Sequence, residues 1–465
     1  MIGLILLNIK PINMKEKTYK INNLKQTNLF EKFKSGEELH QLMNDSEVQK
    51  IIFEVQEKYL PWEEFRLKDW ATTEKEKIWG LVKLQRGFTN VKTIISDESG
   101  SGFVFNPRSH LHFLHKIDLE LGGSFMGVDN FNEGDKRQFI RRNLIEESIA
   151  SSQLEGANTS RKAAKKMLEE GKKPKDKGEQ MIVNNHETMK LIEEELKNKE
   201  LSLDILKELH QKITFNTIEP EHQGVLRETL DQNGNPLVIK PWDDFTIAYT
   251  TPAKEFVEKE LEKLIAFAND KNDSQFIHPL IKAIMLHFWI GLLHPFEDGN
   301  GRLARIIFYW YMLRNGYWAF SYLSISERIL KSQKQYAMAF IYSEQDDNDL
   351  GYFIHYNISK LELARKHFED YIKRTIAENR QISHRIKKGY NFNHRQLHLL
   401  QCMVKNEQEY TSFSIHSNVN AGISRATAIS DLRKLVEKGF LKKTRTGKNI
   451  YYYPTNEIKT IFEYR

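Results

Sequence analysis

Cysteine is almost absent from this sequence, since Cys402 is the single one in 465 residues. Internal disulfides and a zinc site built from several thiolates are therefore excluded, and a reducing compartment is favoured. The apolar run at residues 1–9 is far shorter than the roughly 20 residues that a membrane span needs, and it lacks the flanks of a signal peptide. We therefore predict a cytoplasmic protein with no membrane contact. Translation beginning at Met14 would remove this run, which otherwise predicts a peripheral strand or tail.

The bulk composition is that of a globular chain with more than one domain. Hydrophobic residues make up 40% of the chain and charged residues 28%. A length of 465 residues exceeds what a single hydrophobic core usually organises. The net charge of +6 is compatible with an acidic partner such as a nucleotide or nucleic acid, but it does not identify one.

Two apolar segments flank a polar, glycine-containing loop between residues 279 and 313. The first segment, from Pro279 to Leu293, is apolar on nearly every side and predicts a buried helix. Pro295 ends this helix and disfavours helical geometry at His294. The loop Asp298-Gly299-Asn300-Gly301 then leads into a second apolar helix, which begins at Arg302.

The residue types around this loop suit a nucleotide polyphosphate. Glycines let the backbone approach a ligand closely, and the N–H groups at a helix start attract phosphate. Arg302 and Arg305 share the first turn of the second helix and supply positive charge. Asp298 offers the hard oxygen that Mg²⁺ prefers, and His294, with an ordinary pKa of about 6.5, can accept a proton at neutral pH. A general base, a metal ligand, a phosphate-binding backbone and two arginines therefore fall within one short segment.

The segment from His294 to Arg305 resembles the Fic (filamentation induced by cAMP) family pattern His-Pro-Phe-x-(Asp/Glu)-Gly-Asn-Gly-Arg-x-x-Arg at every fixed position. The resemblance implies a mainly α fold, in which a helical core carries a small β-hairpin flap. It also implies a protein adenylyltransferase, which moves AMP from ATP to a protein hydroxyl with release of pyrophosphate.

The same resemblance assigns a role to each residue of the motif. His294 would deprotonate the target hydroxyl, and Asp298 would hold Mg²⁺. ATP would be bound through its α- and β-phosphates by the backbone of Gly299 to Gly301 together with Asn300. The β/γ end of ATP would be stabilised by Arg302 and Arg305.

Gly301 helps to choose the reaction. Family members that act as kinases resemble a version with lysine at this position, which reverses the orientation of the nucleotide. Glycine therefore favours transfer of AMP over transfer of phosphate. No P-loop pattern elsewhere in the sequence competes for the nucleotide.

A second motif, Ser151-Ser152-Gln153-Leu154-Glu155-Gly156, ends a predicted helix upstream. Ser151 and Glu155 share one helix face, and Gly156 can cap the helix C-terminus. The motif resembles the Fic inhibitory pattern (Ser/Thr)-x-x-x-Glu-(Gly/Asn), in the class whose inhibitory helix precedes the catalytic core. The resemblance implies that Glu155 pairs with Arg305, so that ATP binds only in an unproductive pose.

Two short runs of β-branched and aromatic residues, at 236–240 and 245–249, predict a hairpin upstream of the catalytic motif. The family places its flap there, which aligns the target through backbone hydrogen bonds. Val238, Ile239 and Tyr249 are therefore candidate target-positioning residues. Tyr336 lies downstream, roughly where family members wall the adenine, although such aromatic residues usually belong to a core.

The C-terminal residues predict a winged helix-turn-helix. A helix at 393–405 is followed by a second helix at 425–438, which Ser424 caps and Gly439 ends, and then by two strands around a basic tip. Winged helices bind either DNA or proteins, and both partners stay open here. The candidate DNA-binding residues are Arg425, Arg433, Lys443 and Arg445.

We therefore predict three regions: a mostly helical one at 1–105, a Fic core with its inhibitory helix at 106–385, and a winged helix-turn-helix at 390–465. A glycine- and serine-rich zone at 88–108 marks the first boundary. The leading prediction is an autoinhibited AMP transferase that acts on a Ser, Thr or Tyr of a target protein or on itself, and a homodimer stays open. The alternatives are an ATP-sensing transcriptional regulator, or a Fic enzyme that uses another nucleotide or removes AMP. An intact His294 and Asp298 weigh against a pure sensor.

Overall fold

The computed structural model describes residues 17–21, 33–122, 133–231, 233–240, 246–247, 249–271, 276–386, 392–405, 409–420, 423–447 and 449–458. The fold is mainly helical with a few short strands, as predicted. The apolar run at residues 1–9 lies outside the described residues. Among the helices that are described, none combines the length and apolarity that crossing a bilayer requires.

Four helices build the N-terminal part around an apolar cluster of their own. Ser35 and Asp45 begin the first two helices and accept hydrogen bonds from backbone N–H groups of the first turn. The cluster contains the stacked rings of Phe65 and Trp79. The bounds are β1 (Lys17–Thr18), α1 (Gly36–Asn44), α2 (Ser46–Glu57), α3 (Trp62–Leu67) and α4 (Lys75–Thr89).

An antiparallel hairpin follows, formed by β2 (Val91–Ser96) and β3 (Gly102–Phe105). It occupies the zone where the sequence indicated a boundary. Its inward residues Ile95, Phe103 and Phe105 are buried in the large central core, which also contains the catalytic segment. The division into domains near residue 105 stays a prediction.

The central core is helical, and α11 and α12 lie at its middle. Residues 280–290 of α11 are all buried, which explains why this helix is apolar on every side. The helices are α5 (Leu111–Ile117), α6 (Glu133–Leu154), α7 (Arg161–Glu170), α8 (Lys177–Leu191), α9 (Leu203–Thr214), α10 (Lys254–Ala268), α11 (Pro279–Leu293), α12 (Asn300–Arg314), α13 (Ser326–Leu330), α14 (Gln333–Gln345) and α15 (Gly351–Ile386). Short π turns cover Asp118–Gly122 and Ile192–Leu196, and short 3-10 turns cover Pro220–His222 and Trp318–Tyr322.

The predicted hairpin forms between α9 and α10. Its strands β4 (Val238–Ile239) and β6 (Tyr249–Thr250) pair antiparallel, with Val238 opposite Thr250 and Ile239 opposite Tyr249. Between them, β5 (Thr246–Ile247) pairs in parallel with β1. The predicted turn at 241–244 lies outside the described residues. The chain's N-terminal strand therefore lies beside this hairpin.

The C-terminal unit has its own apolar cluster. Its elements are α16 (His394–Lys405), α17 (Phe413–Val419), α18 (Arg425–Glu437), β7 (Leu441–Thr446) and β8 (Asn449–Pro454). The backbones of Thr411 and Tyr452 exchange hydrogen bonds of 2.7 and 2.8 Å. This order of elements agrees with the expected one, and the assignment as a winged helix-turn-helix stays a prediction.

Candidate active site

His294 lies at the junction between α11 and the loop that starts α12. Its backbone adopts the left-handed conformation, with φ 45° and ψ 57°, so the chain leaves the helix sharply at this residue. Arg227 holds the junction. Its Nε donates to the carbonyl oxygen of His294 at 2.6 Å, and its backbone N–H donates to the carbonyl of Pro295 at 3.0 Å.

The loop after His294 is fixed by hydrogen bonds to its own backbone and to α9. The side-chain amide of Asn300 accepts from the N–H of Phe296 at 2.9 Å and donates to its carbonyl at 2.7 Å. His210 stacks on the Phe296 ring with 3.8 Å between ring centroids. Its Nδ1 accepts from the N–H of Gly224 at 2.9 Å, so its Nε2 donates to the carbonyl of Asp298 at 2.8 Å. The side chains of Asn300 and His210 therefore hold the loop in its observed conformation.

The His294 ring is in the form that a general base needs. Its removal from water lowers its pKa to about 4, and the positive charge of Arg227 acts in the same direction. The ring also hydrogen-bonds to the backbone carbonyl of Gly291. A neutral imidazole has one donor and one acceptor nitrogen, so the nitrogen that does not donate to Gly291 can accept a proton.

The N-terminus of α12 carries free positive character. Gly299 precedes it with φ 87°, and no side chain of the described residues caps the first turn. The Glu155 carboxylate lies against Gly301, so close that a Cβ at this glycine would collide with it. A carboxylate at a helix N-terminus is stabilised by about 0.3–1 kcal/mol. The first turn of α12 therefore faces an anionic group of the protein itself.

Arg305 binds the segment that contains Glu155. Its Nη2 donates to Oε1 of Glu155 at 2.8 Å and to the backbone carbonyl of Ser151 at 2.9 Å, and its Nε donates to the Ser151 hydroxyl at 2.8 Å. Burial on its own lowers the pKa of Arg305, but the Glu155 carboxylate and other acidic neighbours hold this pKa above its usual value. The contact expected from the sequence is therefore formed.

The end of α6 presents Glu155 through a Schellman turn. Gly156 has φ 93°, and the N–H groups of Gly156 and Ala157 donate to the carbonyls of Gln153 and Ser152 at 3.1 and 3.0 Å. Glycine is the residue that accepts this backbone conformation without steric cost. The predicted cap at Gly156 is thus present, and it sets the direction in which Glu155 leaves the helix.

One turn earlier along α6 from Ser151, Glu147 anchors the helix to the start of α13. Its buried carboxylate accepts hydrogen bonds from the Ser324 hydroxyl at 2.9 Å and from the Ser326 N–H at 3.0 Å. Burial raises the pKa of Glu147, while these donors act against the rise. The helix that carries Glu155 is therefore held at Glu147 as well as at its contacts with Arg305.

Arg302 points to a different neighbour from Arg305. It is fully buried, and its Nη1 donates to the carbonyl of Ile213 in α9 at 2.7 Å. Its Nη2 lies 3.5 Å from Oδ1 of Asp298. Arg302 therefore holds the loop against α9, an interaction that the sequence did not indicate.

Asp298 suits a magnesium ion that a nucleotide brings with it. Its side chain is 42% exposed, and its Oδ1 accepts from the N–H of Gly299 at 2.5 Å. Within the described part of the chain, no group of three or more His, Cys, Asp and Glu residues could hold a metal by themselves. Mg²⁺ in nucleotide sites is typically bound by one or two carboxylates together with phosphate oxygens and water, and the single Asp298 fits that arrangement.

The remaining candidates lie around this centre or away from it. Val238, Ile239 and Tyr249 are half-buried in the β4–β6 hairpin. The hydroxyl of Tyr336 lies 2.7 Å from Nε2 of His287, and its ring packs against Phe340. The DNA-binding candidates belong to the C-terminal unit: Arg425, Arg433, Lys443 and Arg445.

The site contains two residues that sequence reasoning missed, His210 and Arg227. Both act on backbone carbonyls that are distant along the chain. His210 is 88 residues from Asp298, and Arg227 is 67 residues from His294. Neither stands in a motif, so only the fold brings them to the site.

Residues 200–312 match the model of the Fic/DOC family. The protein adenylyltransferase fic-1 of Caenorhabditis elegans is 30% identical over 118 residues, which is 25% of this chain and 20% of that protein. The protein adenylyltransferase Fic of Nematostella vectensis is 26% identical over 121 residues, 26% of this chain and 25% of that protein. The matched part is therefore a fifth to a quarter of the length of these relatives.

Among solved structures, a fragment of Fic-1 from C. elegans covers 70% of this chain and 84% of its own, with a TM-score of 0.49 and 17% identity. A Fic family protein from Desulfovibrio desulfuricans covers 75% of this chain and 98% of its own, with a TM-score of 0.46 and 17% identity.

The fold and the site define a mainly helical protein in which a neutral histidine lies beside a helix start that no side chain of the described residues caps. Over residues 200–312, the chain is similar to the Fic/DOC family.

Proposed function

We propose that this protein transfers AMP from ATP to a hydroxyl of a target protein, and that Glu155 keeps the activity low at rest. The observation that carries the proposal is the position of the Glu155 carboxylate. It lies against Gly301 at the start of α12 and bonds to Arg305, so it occupies the place and the partners that an ATP phosphate needs. The adenylyltransferase names of the relatives support the same reaction.

In the transfer step the target oxygen bonds to the α-phosphorus of ATP, and the bond from this phosphorus to the bridging oxygen of the β-phosphate breaks. Pyrophosphate leaves with the bonding electrons, and His294 takes the proton of the hydroxyl. The neutral state of His294 and its fixed ring orientation serve this role.

The start of α12 holds the phosphates in the productive pose. Its backbone N–H groups would bind the phosphate oxygens, and Arg305 would bind the γ-phosphate once Glu155 has left. Mg²⁺, held by Asp298, would supply charge neutralisation of the phosphates. Positioning and electrostatic stabilisation therefore account for most of the catalysis.

The brake rests on competition for Arg305. A γ-phosphate and the Glu155 carboxylate require the same guanidinium nitrogen and the same side of Gly301. ATP that enters beside Glu155 must bind with displaced phosphates, so its α-phosphorus is out of line with the hydroxyl. The low resting activity follows from this misalignment, and target identity plays no part in it.

The test compares AMP incorporation from α-labelled ATP into the chain itself and into added proteins. Glu155→Gly should raise incorporation by about tenfold or more, since it removes a charged hydrogen bond to Arg305 and clears Gly301. Gln153→Ala, at the same helix end, keeps the helical backbone and alters no hydrogen bond of Arg305, so it is the matched control and should leave the rate unchanged. The combination of Glu155→Gly with His294→Ala should abolish incorporation.

Two results would contradict the proposal. Equal rates for Glu155→Gly and Gln153→Ala would show that Glu155 does not restrain the activity. Incorporation of a different nucleotide, or release of AMP from modified protein without incorporation, would show that the protein catalyses a different reaction.

For the C-terminal unit we propose DNA binding through α18 and β7. Its exposed basic residues include Arg433 and Lys434 on α18 and Lys443 and Arg445 on β7. Arg425 lies over the ring of Phe413, 4.5 Å from its centroid, at the N-terminal end of α18. A helix and an adjacent basic hairpin can contact the major groove and the phosphate backbone.

A further inference from the structure

A peptide-like segment of the chain itself lies in a groove between the hairpin and α14. Residues 17 and 18 pair in parallel with β5, in the register Lys17 to Thr246 and Thr18 to Ile247. The chain then continues through Tyr19 and Lys20 to Ile21, which lies beside α14. We call residues 17–21 the N-terminal strap; its first two residues form a two-stranded parallel sheet with β5, separate from the β4–β6 pair.

Gln345 at the end of α14 grips the strap by its backbone. Its Nε2 donates to the carbonyl of Tyr19 at 2.9 Å, and its Oε1 accepts from the N–H of Ile21 at 2.9 Å. One side-chain amide thus satisfies two main-chain groups, as a neighbouring strand would. Because these contacts involve only main-chain atoms of the strap, any other extended segment can make them with Gln345.

One side chain of the strap enters a specific pocket. Ile21 packs against the buried cluster formed by Tyr59, Tyr342 and Tyr352. Tyr342 is held in turn by a hydrogen bond of 3.2 Å from its hydroxyl to Glu63. The tyrosine hydroxyls are hydrogen-bonded to carboxylates, so the ring faces are left to contact an aliphatic side chain such as Ile21. Lys20, next to it, is exposed.

The groove joins the catalytic centre along α14. Tyr336 near the start of this helix lies within hydrogen-bonding reach of Arg305. One turn later, Phe340 packs so closely on Gly291 that a Cβ there would lie 2.8 Å from its ring. Gln345 follows at the end of the helix, beside the strap. Along α14, Tyr336 therefore faces Arg305, Phe340 packs beside the helix end that carries His294, and Gln345 faces the groove.

We propose that this groove binds an extended segment of the target protein, and that the N-terminal strap fills it at rest. The target segment would add to β5, pass its backbone under Gln345 and place an aliphatic side chain in the Tyr59–Tyr342 pocket. It must displace the strap first, which makes the strap a second control that is independent of Glu155. The inference rests on the proposed function for the role of the groove, but its test needs no nucleotide.

The test measures binding of a fluorescent peptide with the sequence of residues 14–24 by anisotropy. The full chain with Ile21→Asp, which empties the pocket without truncation, should bind this peptide, and so should a chain that lacks residues 1–21. The wild-type chain should bind it about tenfold more weakly, because the strap is tethered beside its site. Peptides with Ile21→Asp or with Thr18→Pro should lose binding, whereas Lys20→Ala is the matched control and should bind as the parent does.

A second measurement applies to the full chain alone. Gln345→Ala should raise the hydrogen-exchange rate of the Ile21 amide by about tenfold or more, and it should weaken peptide binding in the Ile21→Asp chain.

The proposal is overturned if the wild-type and Ile21→Asp chains bind the peptide equally, or if neither binds it. It is also overturned if the Ile21→Asp and Lys20→Ala peptides bind alike. If the protein forms dimers that dissociate when residues 1–21 are removed, the strap is exchanged between two copies. The proposal that the strap fills the groove of its own chain would then be wrong. Because binding is measured without ATP, a failed transfer reaction leaves these outcomes readable.

Discussion

The Arg227 guanidinium donates hydrogen bonds to backbone carbonyls around His294. Its guanidinium donates to the carbonyls of His294, Pro252, Glu228 and Leu293 at 2.6, 2.8, 3.1 and 3.3 Å. Two of these carbonyls belong to the last turn of α11 and its cap, where helix C-termini leave acceptors unpaired and favour positive charge. Arg227 is therefore a positioning residue for His294, the proposed base.

Arg227→Met should lower both stability and turnover. It removes the donors from several buried carbonyls, at a cost of about 1–3 kcal/mol for a group left unpaired. In a Glu155→Gly background, we expect kcat to fall at least tenfold while the KM for ATP changes little, because Arg227 reaches the His294 junction and not α12. Arg227→Lys, which keeps one donor, should lie between. A loss confined to the KM for ATP would contradict this assignment.

His294 should stay neutral well below neutral pH. Its folded pKa of about 4 is below its ordinary value of about 6.5, so the unfolded chain takes up the proton first as the pH falls. The stability that neutral His294 contributes is therefore present above pH 6.5 and is lost as the pH falls toward 4. NMR titration with labelled histidine, assigned by His294→Ala, should show the ring titrating below pH 5. A midpoint near 6.5 would contradict the enclosed ring.

At the residue scale, the sequence predicted a contact between two residues that each belong to a family motif. The pairing of Glu155 with Arg305 followed from two patterns, and the structure forms it. The contact of Arg302 with the Ile213 carbonyl did not follow, because no pattern encodes a bond from a side chain to a distant backbone. Spacing placed Arg302 and Arg305 on one turn, but the helices packed around that turn decide what each one contacts.

At the scale of elements, prediction succeeded where apolar residues run continuously. The expected range of α11 is the observed one, from Pro279 to Leu293, since a helix buried on all sides admits few alternatives. The short helix α17 was missed, because its seven residues, Phe-Ser-Ile-His-Ser-Asn-Val, carry too little apolar periodicity. Its fold depends on Ser412, whose hydroxyl caps it, and on buried His416, 3.3 Å from Asp431 of α18.

Charge on α18 and β7 should govern any binding of DNA. Combined Arg433→Ala and Lys443→Ala should weaken binding of the full chain to duplex DNA. For each DNA phosphate that the variant no longer neutralises, the dependence of log K on log salt should also become shallower by about 1. Combined Lys190→Ala and Lys199→Ala remove the same charge from exposed positions in the core and serve as the control. Equal weakening in both variants would indicate attraction by net charge alone, and a salt-insensitive interaction would favour protein docking.

On the scale of the whole molecule, a buried ionic network joins the N-terminal helices to the central core. Lys83 on α4 lies 2.9 Å from Asp346 and 2.8 Å from Asp347, between α14 and α15. Arg86 donates to the Tyr352 hydroxyl at 2.7 Å, and the Tyr59 hydroxyl donates to Asp349 at 2.8 Å. These interactions join residues more than 250 positions apart in the chain, so local sequence patterns could not predict them.

Lys83→Met should destabilise the whole protein by about 3–5 kcal/mol, because it leaves the Asp346 carboxylate buried without its cation. The paired change with Asp346→Leu should restore much of that stability. Lys92→Met, at an exposed position on β2, is the control and should change the free energy of unfolding by less than about 0.5 kcal/mol. Urea unfolding measures all three. Equal effects of Lys83→Met and Lys92→Met would show that the network adds no stability.

The Schellman turn at Gly156 would set the effective concentration of the Glu155 carboxylate in the proposed brake. A carboxylate attached to a fixed helix end meets Arg305 as an intramolecular partner, at a local concentration of at least the millimolar order that short tethers provide. Dilution of the protein cannot weaken such a competitor, and ATP displaces it only when the ATP concentration, relative to its affinity for Arg305, exceeds that of the tethered carboxylate. Under the proposed function, the rigidity of α6 sets the resting rate, and activation requires that this helix end loosen.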